Sequence, residues 1–357
     1  MANSNEVLLH VENLCQYFRL DANTVNKAVD NVSFDIHKGE VFGLVGESGC
    51  GKTTTGRSII KLYDITSGSV YFKGQRICAG VKSYKDDIAA AKKELKGCTD
   101  KNRAQELEAL IAQRSQEMKQ ARIDHKKADR KLVNEIQMIF QDPIASLDPR
   151  MTVRDIIAEG LVIKGIKDKE YIDNKVFEML ETVGLVREHA SRYPHEFSGG
   201  QRQRIGVARA LIMEPSLIIA DEPISALDVS IRAQVINLLN DLRHDRGITI
   251  MFIAHDLSVV KYFSDRIGVM YYGKMVELAD SEELFRHPLH PYTRSLLSAI
   301  PQPDPNYERN RKRIVYNPIA DHDYRTSQPS FREVEPGHFV LCNDEEFERY
   351  SKIVKES

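Results

Sequence analysis

The chain has 357 residues, a hydrophobic share of 42% and a formal net charge of −2 at pH 7. It is long enough to bury one or two cores, and it has no overall attraction for nucleic acid or anionic lipid. Its apolar runs are far shorter than the ~20 residues that cross a bilayer, and its first ten residues do not resemble a secretory signal, so we expect no membrane span and no export. Five cysteines without CxxC spacing predict free thiols rather than disulfides or a zinc site.

The opening of the chain predicts a β-rich region that ends in a phosphate-binding loop. Short apolar runs alternate with turns from position 7 to 74, and the turn GESGCGKT follows the run VFGLV. It fits G-x-x-x-x-G-K-[ST], in which backbone N–H groups wrap phosphates, the lysine neutralises the β and γ groups, and the hydroxyl can ligate Mg²⁺. The candidate residues for ATP or GTP are Gly46, Glu47, Ser48, Gly49, Cys50, Gly51, Lys52, Thr53 and Thr54.

The segment from about 81 to 131 has a different composition, which is rich in charged and helix-forming residues. Between Lys82 and Lys131 it has 14 basic and 9 acidic residues, and a break at 97–100 predicts a charged hairpin of two helices. The predicted apolar stripe consists of Leu107, Leu110, Ile111 and Met118. Two interpretations stay open: a solvated insertion, and a docking or regulatory arm.

The second half of the chain predicts an α/β core. Amphipathic helices are expected in a subdomain at about 142–205, as in VRDIIAEGLVI. From position 205 to 277, helices alternate with the short apolar runs SLIIAD, ITIMFIAH and RIGVMYYG, whose lengths suit buried parallel strands. A helical piece ends near position 300, and the proline-rich run PQPDPNYERNRKR begins a linker and a small appendage.

Polar residues follow three of the predicted strands. Asp221 and Glu222 end the run SLIIADE, where ligands of α/β sheets bind. We expect Asp221 to hold Mg²⁺ through water and Glu222 to polarise the attacking water as general base. His255 would sense or stabilise the γ-phosphate, and Gln141 would hold the water or the metal. Judged alone, His255 and Gln141 are equally compatible with structural roles.

A second anion site is predicted at FSGGQRQRIGVARAL, positions 197–211. Its Ser-Gly-Gly triplet opens a helix, and the N–H groups of a helix N-terminus attract anions. This stretch has no lysine comparable to Lys52.

Taken in order, GESGCGKT, Gln141, FSGGQ, ADEP, SALD and His255 resemble the ATPase subunit of ABC transporters, over positions 7 to about 300. Phe197 replaces the leucine of the family signature LSGGQ. The resemblance implies a P-loop NTPase with a nucleotide-binding domain at 1–300 and an extension at 301–357. It also implies ATP and Mg²⁺ as ligands.

In this family two subunits pair head to tail, and each ATP lies between one subunit's phosphate loop and the other's signature. The resemblance therefore implies that Asp228 lines the dimer interface. It also implies that Phe18, or less favourably Tyr17, stacks on adenine. The residues that would bind the partner's ATP are Ser198, Gly199, Gly200 and Gln201.

Longer stretches, including MIFQDPIASLDPRMTV and HPLHPYTRSLLSAIP, resemble the F-type ATPase subunit of oligopeptide and dipeptide importers. This implies a D-type sister ATPase, two membrane permeases, an external peptide-binding protein and a peripheral place on the cytoplasmic face of the membrane. Dimer closure would reach the permeases through a groove near Gln141. Nickel importers share much of the pattern, so nickel or another small solute stays an alternative substrate.

Two departures from the family pattern stand out. Lys52 and Gln141 are 89 positions apart, roughly double the family spacing, and the hairpin accounts for the excess. We expect it to protrude without disturbing the core, because long surface insertions cost little. Many relatives have a cysteine cluster in the tail, whereas this tail keeps only Cys342, so we expect no iron–sulfur cluster there and a small β appendage.

A soluble ABC ATPase that acts on nucleic acid or ribosomes is the alternative from another class, since the hairpin has a net charge of +5. The chain has neither a second ATPase domain nor a long coiled coil, so we expect no direct binding of nucleic acid. A binding-only subunit is disfavoured because Lys52, Asp221, Glu222 and His255 are all present.

Overall fold

The computed structural model describes residues 6–21, 23–225, 227–300, 313–324 and 327–355. The predicted proline-rich linker lies outside the described residues from position 301 to 312. No helix in the described ranges is long and apolar enough to cross a membrane. All five cysteines are free, as predicted.

Twelve strands are present in the described ranges, and they form two sheets. In chain order they are β1 (Val7–Arg19), β2 (Val25–His37), β3 (Val41–Val45), β4 (Ser67–Phe72), β5 (Gln75–Ala79), β6 (Ile136–Ile139), β7 (Leu217–Asp221), β8 (Thr249–Ala254), β9 (Arg266–Tyr271), β10 (Lys274–Asp280), β11 (Ser330–Glu335) and β12 (His338–Cys342). The small antiparallel sheet has the order β2-β1-β4-β5, and the large sheet has the order β11-β12-β10-β9-β3-β8-β7-β6.

Helices pack around the large sheet and extend from the small one. The described helices are α1 (Lys52–Ile59), α2 (Lys82–Leu95), α3 (Lys101–Lys127), α4 (Arg130–Val133), α5 (Val153–Ile163), α6 (Lys169–Thr182), α7 (Gly199–Leu211), α8 (Val229–Arg246), α9 (Leu257–Phe263), α10 (Ser281–Arg286), α11 (Pro291–Ser298), α12 (Pro318–Asp321) and α13 (Asp344–Lys355).

The centre of the large sheet is parallel, which confirms the predicted α/β fold. Strands β9, β3, β8, β7 and β6 run in the same direction, and every residue of β3, β7 and β8 is buried. Strands covered on both faces need continuous apolar runs, which is the pattern that the sequence shows. The carboxyl ends of these strands lie at one edge of the sheet, where the strand-end residues meet.

The helices α5, α6 and α7 form the helical region that the sequence predicted. Side-chain caps set their starts: Thr152, Asp168 and Ser198 each accept a hydrogen bond from a backbone N–H of the first helical turn. The apolar faces pack into the same core cluster as the parallel strands. The N-terminus of α7 is thereby held at a fixed place on the surface.

The insertion is a hairpin of α2 and α3, as predicted. It is anchored at its base, where Lys61 Nζ donates to the backbone oxygen of His125 at 2.9 Å and His125 Nε2 lies 3.3 Å from Asp64 Oδ1. The predicted apolar stripe is wrong at Leu110, which is 38% exposed, whereas Leu107 is buried. In a helix of 3.6 residues per turn Leu110 is rotated about 60° from Leu107, and this rotation is enough to leave its side chain partly exposed.

The tail is a continuation of the large sheet. Strand β12 pairs antiparallel with β10, joining Glu277 to Val340 and Leu278 to Phe339 in register, and β11 pairs with β12. The expected small β appendage is therefore a hairpin that extends the sheet by two strands. A separate apolar cluster of Leu289, Val340, Cys342 and Tyr350 lies beneath it.

Candidate active site

The phosphate-binding loop connects β3 to α1 and depends on glycine geometry. Gly46 has φ of 150° and Gly51 has φ of 110°. A Cβ at Gly46 would lie 2.2 Å from the backbone oxygen of Met270, and one at Gly51 would lie 2.2 Å from that of Ala28. Larger residues cannot occupy positions 46 and 51 without moving neighbouring backbone, so these two glycines fix the curvature of the loop.

Lys52 lies within the curve of this loop. Its side chain is buried, and Nζ donates to the backbone oxygens of Gly46 at 2.7 Å and Glu47 at 2.9 Å. A buried ammonium is stable only with such partners. Burial raises the pKa of the neighbouring Cys50 thiol, which stays neutral and leaves the positive charge uncompensated by a thiolate.

A hydroxyl and a carboxylate meet beside the loop in an arrangement that fits Mg²⁺. Thr53 Oγ1 donates to Asp221 Oδ1 at 2.8 Å, and Asp221 is fully buried at the end of β7. Its other oxygen, Oδ2, has no hydrogen-bond partner among the described residues, and burial raises the pKa of this carboxyl. A hard cation would satisfy that unpartnered oxygen, and Mg²⁺ commonly takes only one or two protein ligands beside substrate phosphates.

Three strand ends bring Gln141, Glu222 and His255 together. Gln141 Nε2 donates to Glu222 Oε2 at 3.1 Å, and His255 Nδ1 lies 3.0 Å from the same oxygen. These residues follow β6, β7 and β8, which are neighbours in the large sheet. The Glu222 side chain is 12% exposed and that of His255 is 55% exposed, so the carboxylate lies inward and the imidazole faces solvent.

Glu222 has a backbone conformation that is uncommon for its residue type. Its φ is 44°, in the left-handed region. The backbone is held there by a bond from Glu222 N to the Ile253 oxygen at 3.0 Å and by Ser225 Oγ, which donates to the Glu222 oxygen at 3.1 Å. A carboxylate fixed in this way, with an amide and an imidazole beside one oxygen, can accept a proton from water.

The predicted signature residues occupy the exposed start of α7. Ser198 Oγ accepts from Gln201 N at 3.4 Å, and Ser198 N donates to Gln201 Oε1 at 3.1 Å, a reciprocal capping box. Gly199 is exposed, and Gly200 packs toward Ile231. These bonds all lie within the stretch itself, so no lysine or acidic side chain contributes to this helix start in the described residues.

Two further predicted residues lie on the surface. Asp228 is exposed at the N-cap position of α8, where its side chain makes no capping bond. Phe18 packs edge-on against Tyr63, with ring centroids 5.3 Å apart. Tyr17 is engaged elsewhere, because its hydroxyl bonds Asp30 and two lysine ammonium groups lie over its ring. Phe18 is therefore the freer of the two candidate aromatic rings.

One contact of the loop was missed by the sequence analysis. The backbone N–H of Glu47 donates to the hydroxyl of Tyr292 at 3.0 Å, and Tyr292 is almost fully buried in α11. The two residues are 245 positions apart, so no local pattern indicates this bond. The unusual HPYT motif around Tyr292 is the only signal in the sequence.

A groove of about 1120 Å³ opens beside the strand-end cluster. Gln141 is part of its lining, together with residues from the insertion, β6, α5 and α7. The lining includes six cationic side chains and two carboxylates: Arg57, Lys61, Lys126, Arg130, Lys164 and Arg209, with Asp142 and Glu159. Ile163 in the same lining is 78% exposed. The groove therefore combines apolar surface with an excess of cationic side chains.

Comparisons with known proteins place the chain in a family. The ABC transporter family matches residues 29–122 and 107–225, and the oligopeptide/dipeptide transporter C-terminal region matches residues 276–325. The oligopeptide transport ATP-binding protein OppF of Bacillus subtilis is 55% identical, covering 97% of this chain and 99% of that protein. OppF of Streptococcus mutans is 51% identical, covering 99% of this chain and all of that protein. The dipeptide transport ATP-binding protein DppF of Lactococcus lactis is 49% identical, with 97% of each chain covered.

Solved structures share the fold at lower identity. The ATP-binding cassette MJ1267 in its ADP conformation has a TM-score of 0.59 at 23% identity, covering 83% of this chain and all of that one. CbiO1 of Clostridium perfringens has a TM-score of 0.56 at 22% identity, covering 80% of this chain and 92% of that one. The chain thus belongs to the ATP-hydrolysing, ATP-binding proteins of ABC transporters, in the group with the oligopeptide/dipeptide transporter C-terminal region.

Proposed function

We propose that this chain powers peptide import as the ATPase subunit of an ABC importer. It would lie on the cytoplasmic face of the membrane, paired with a D-type sister ATPase beneath two permeases that an external peptide-binding protein supplies. The relatives named above, all at about half identity over nearly the whole chain, support peptides as the transported class. The nucleotide-binding domain would comprise residues 1–300 and the extension residues 301–357.

The site residues suggest a division of labour in hydrolysis. Lys52 and the loop amides bind the phosphates, and Phe18 stacks on adenine. Thr53, Asp221 and Gln141 would hold Mg²⁺, which would neutralise phosphate charge when bound. Glu222 would act as the general base, and His255 would contact the γ-phosphate.

The signature would act on the sister subunit's nucleotide. Ser198, Gly199, Gly200 and Gln201 offer the free N–H groups and positive end of α7, and Asp228 would lie at the same interface. An ATPase completed only when two subunits close is gated by closure, so a lone chain hydrolyses ATP slowly.

The observation that carries the proposal is that Gln141 contacts both the catalytic cluster and the groove. Its amide bonds the carboxylate of Glu222, and the same residue lines the groove. A partner segment seated in the groove would therefore be coupled to the proton acceptor through one side chain. This arrangement suits an ATPase that drives a partner.

The groove's chemistry indicates which segment of a permease would fit it. Its cations outnumber its carboxylates six to two, and Lys126 and Arg130 come from the insertion. An amphipathic helix with an apolar face and acidic flanks matches such a groove. We expect the permease to present that type of helix.

Purification of the intact complex from membranes tests the proposal. We expect two permeases and a second ATPase to co-purify, and cells with the Glu222→Gln chain to lose peptide uptake. Recovery with ribosomes or nucleic acid alone would contradict the proposal, and loss of nickel uptake with peptide uptake intact would change the substrate.

A charge-reversal pair tests the groove. Lys126→Glu with Arg130→Glu should reduce permease recovery at least several-fold. Lys92→Glu with Lys93→Glu is the matched control, because it changes the charge of the 81–131 segment by the same amount on exposed residues outside the groove. Equal permease recovery with both variants would show that Lys126 and Arg130 do not contribute to the interface.

A further inference from the structure

A hydrogen bond connects the phosphate-binding loop to helix α11, far along the chain. The N–H of Glu47 donates to the Tyr292 hydroxyl at 3.0 Å. Tyr292 is 1% exposed, so solvent cannot replace this phenol. The amides of this loop are expected to bind phosphates, yet one of them is hydrogen-bonded to a side chain 245 positions away in sequence.

The peptide group that carries the Glu47 N–H also contacts the lysine of the loop, because its oxygen, that of Gly46, accepts a hydrogen bond from Lys52 Nζ at 2.7 Å. The backbone oxygen of Glu47 accepts a hydrogen bond from Lys52 Nζ at 2.9 Å. The phenol of Tyr292 therefore acts on the N–H of residue 47, and the ammonium of Lys52 uses a carbonyl in the same short segment. The loop is fixed at a second point, where Gly273 N donates to the Cys50 oxygen at 2.9 Å.

Tyr292 is itself held by a buried network. Its own N–H donates to His290 Nδ1 at 3.1 Å, and its ring lies 4.4 Å from that of Tyr271 at the end of β9. The N–H of His290 donates at 3.1 Å to the fully buried carboxylate of Glu277, which also lies 2.9 Å from Nε2 of His338 in β12. Strands β10 and β12 thereby determine where the phenol points.

We propose that Tyr292 is a positioning residue for ATP hydrolysis, through which the C-terminal region holds Glu47 and so orients Lys52 toward the β and γ phosphates. Ring packing explains why an aromatic residue is present, but it does not explain the hydroxyl. Removal of the hydroxyl leaves the Glu47 N–H without this partner and frees the peptide to rotate. The inference concerns the ATPase itself and does not depend on what the importer carries.

The test compares Tyr292→Phe with Tyr316→Phe. Tyr316 belongs to the same aromatic cluster, with its ring 5.6 Å from that of Tyr292, and it makes no hydrogen bond to the loop among the described residues. Binding of fluorescently labelled ATP and AMP to each full-length chain is the measurement. We expect Tyr292→Phe to weaken ATP binding about five- to tenfold and to leave AMP binding unchanged, because AMP has no β or γ phosphate for Lys52 to contact.

A double-substituted chain tests the route through the lysine. In a Lys52→Ala background, Tyr292→Phe should weaken ATP binding no further, because the group that it positions is gone. Equal weakening of ATP and AMP, or equal effects of the two Tyr→Phe changes, would show a general packing role and overturn the proposal. An additive loss in the Lys52→Ala background would overturn it as well.

Discussion

Two helix starts in this molecule share a local design and differ in what surrounds them. Helices α1 and α7 both begin at glycine-containing turns that follow extended backbone and leave N–H groups free. At α1 the buried Lys52 and the Thr53–Asp221 pair complete the surroundings. At α7 the capping side chains Ser198 and Gln201 bond each other's backbone.

The difference shows that a helix N-terminus supplies N–H groups for phosphate but lacks the lysine and the metal-binding side chains that a complete nucleotide site has. The start of α1 lies at the carboxyl edge of the parallel sheet, where three strand ends supply carboxylate, amide and imidazole groups. The start of α7 lies in the helical region, away from the carboxylate, amide and imidazole groups at that edge. Under our proposal a second subunit supplies what α7 lacks.

The largest effect is expected at the complete site. Glu222→Gln removes the proton acceptor but keeps an oxygen for the neighbouring donors, so phosphate release should fall by about 10²–10⁴-fold. ATP binding should persist and trap dimers that size-exclusion chromatography detects. Glu348→Gln, an exposed change in α13, is the control, and unchanged turnover would remove Glu222 from the base role.

The next effect is expected at the incomplete site. Gly199→Asp places a carboxylate at the start of α7, where space is open because the nearest atom to a new Cβ is 3.9 Å away. An acid at a helix N-terminus favours folding, but it repels a phosphate. Turnover of the complex should fall at least tenfold, while ATP affinity of the isolated chain stays the same.

Gly206→Asp, in the same helix with no atom within 4 Å of its Cβ position, carries the matched charge. It should leave turnover near the unsubstituted value. A weaker ATP affinity in the isolated Gly199→Asp chain would mean that α7 serves the chain's own nucleotide.

A smaller effect concerns stability at the complete site. Burial raises the pKa of Asp221, so the folded state loses stability as pH rises from the ordinary carboxyl pKa through the raised value. Asp221→Asn should therefore raise the melting temperature of the nucleotide-free chain at pH 7.5. Circular dichroism suits the melting measurement, since the chain has no Trp. A lower melting temperature at that pH would contradict the electrostatic cost assigned to this carboxylate.

The smallest effect concerns the N-cap of α11. Burial, with His322 and Arg294 nearby, lowers the pKa of His290 to about 3. The folded state holds this residue neutral, so its contribution is complete above the ordinary histidine pKa and declines as pH falls below it. His290→Asn retains a cap for α11 and should reduce the loss of melting temperature between pH 7.5 and 5.5. An unchanged pH dependence would exclude His290 as its source.

Sequence patterns predicted the parts of the molecule that depend on neighbouring residues in the chain. GESGCGKT and the strand-end acids Asp221 and Glu222 each follow an apolar run, and parallel strands must end at one edge, so their convergence follows from the pattern. The Tyr292–Glu47 bond and the pairing of β12 with β10 depend on residues far apart in sequence, which no periodicity encodes. Leu110 was misplaced because apolar character alone does not define which side of α3 packs.

The most direct measurement of the shared site is photolabelling in the purified complex with ATP that carries a photoreactive group on the γ-phosphate. In a complex whose copy of this chain carries Lys52→Ala, the chain's own loop no longer holds ATP well, while the sister's loop is intact. We predict that the label still attaches to residues 198–201 of this chain, as identified by mass spectrometry. Loss of that label in the Lys52→Ala complex, with labelling of the sister retained, would contradict the claim that α7 binds the other subunit's nucleotide.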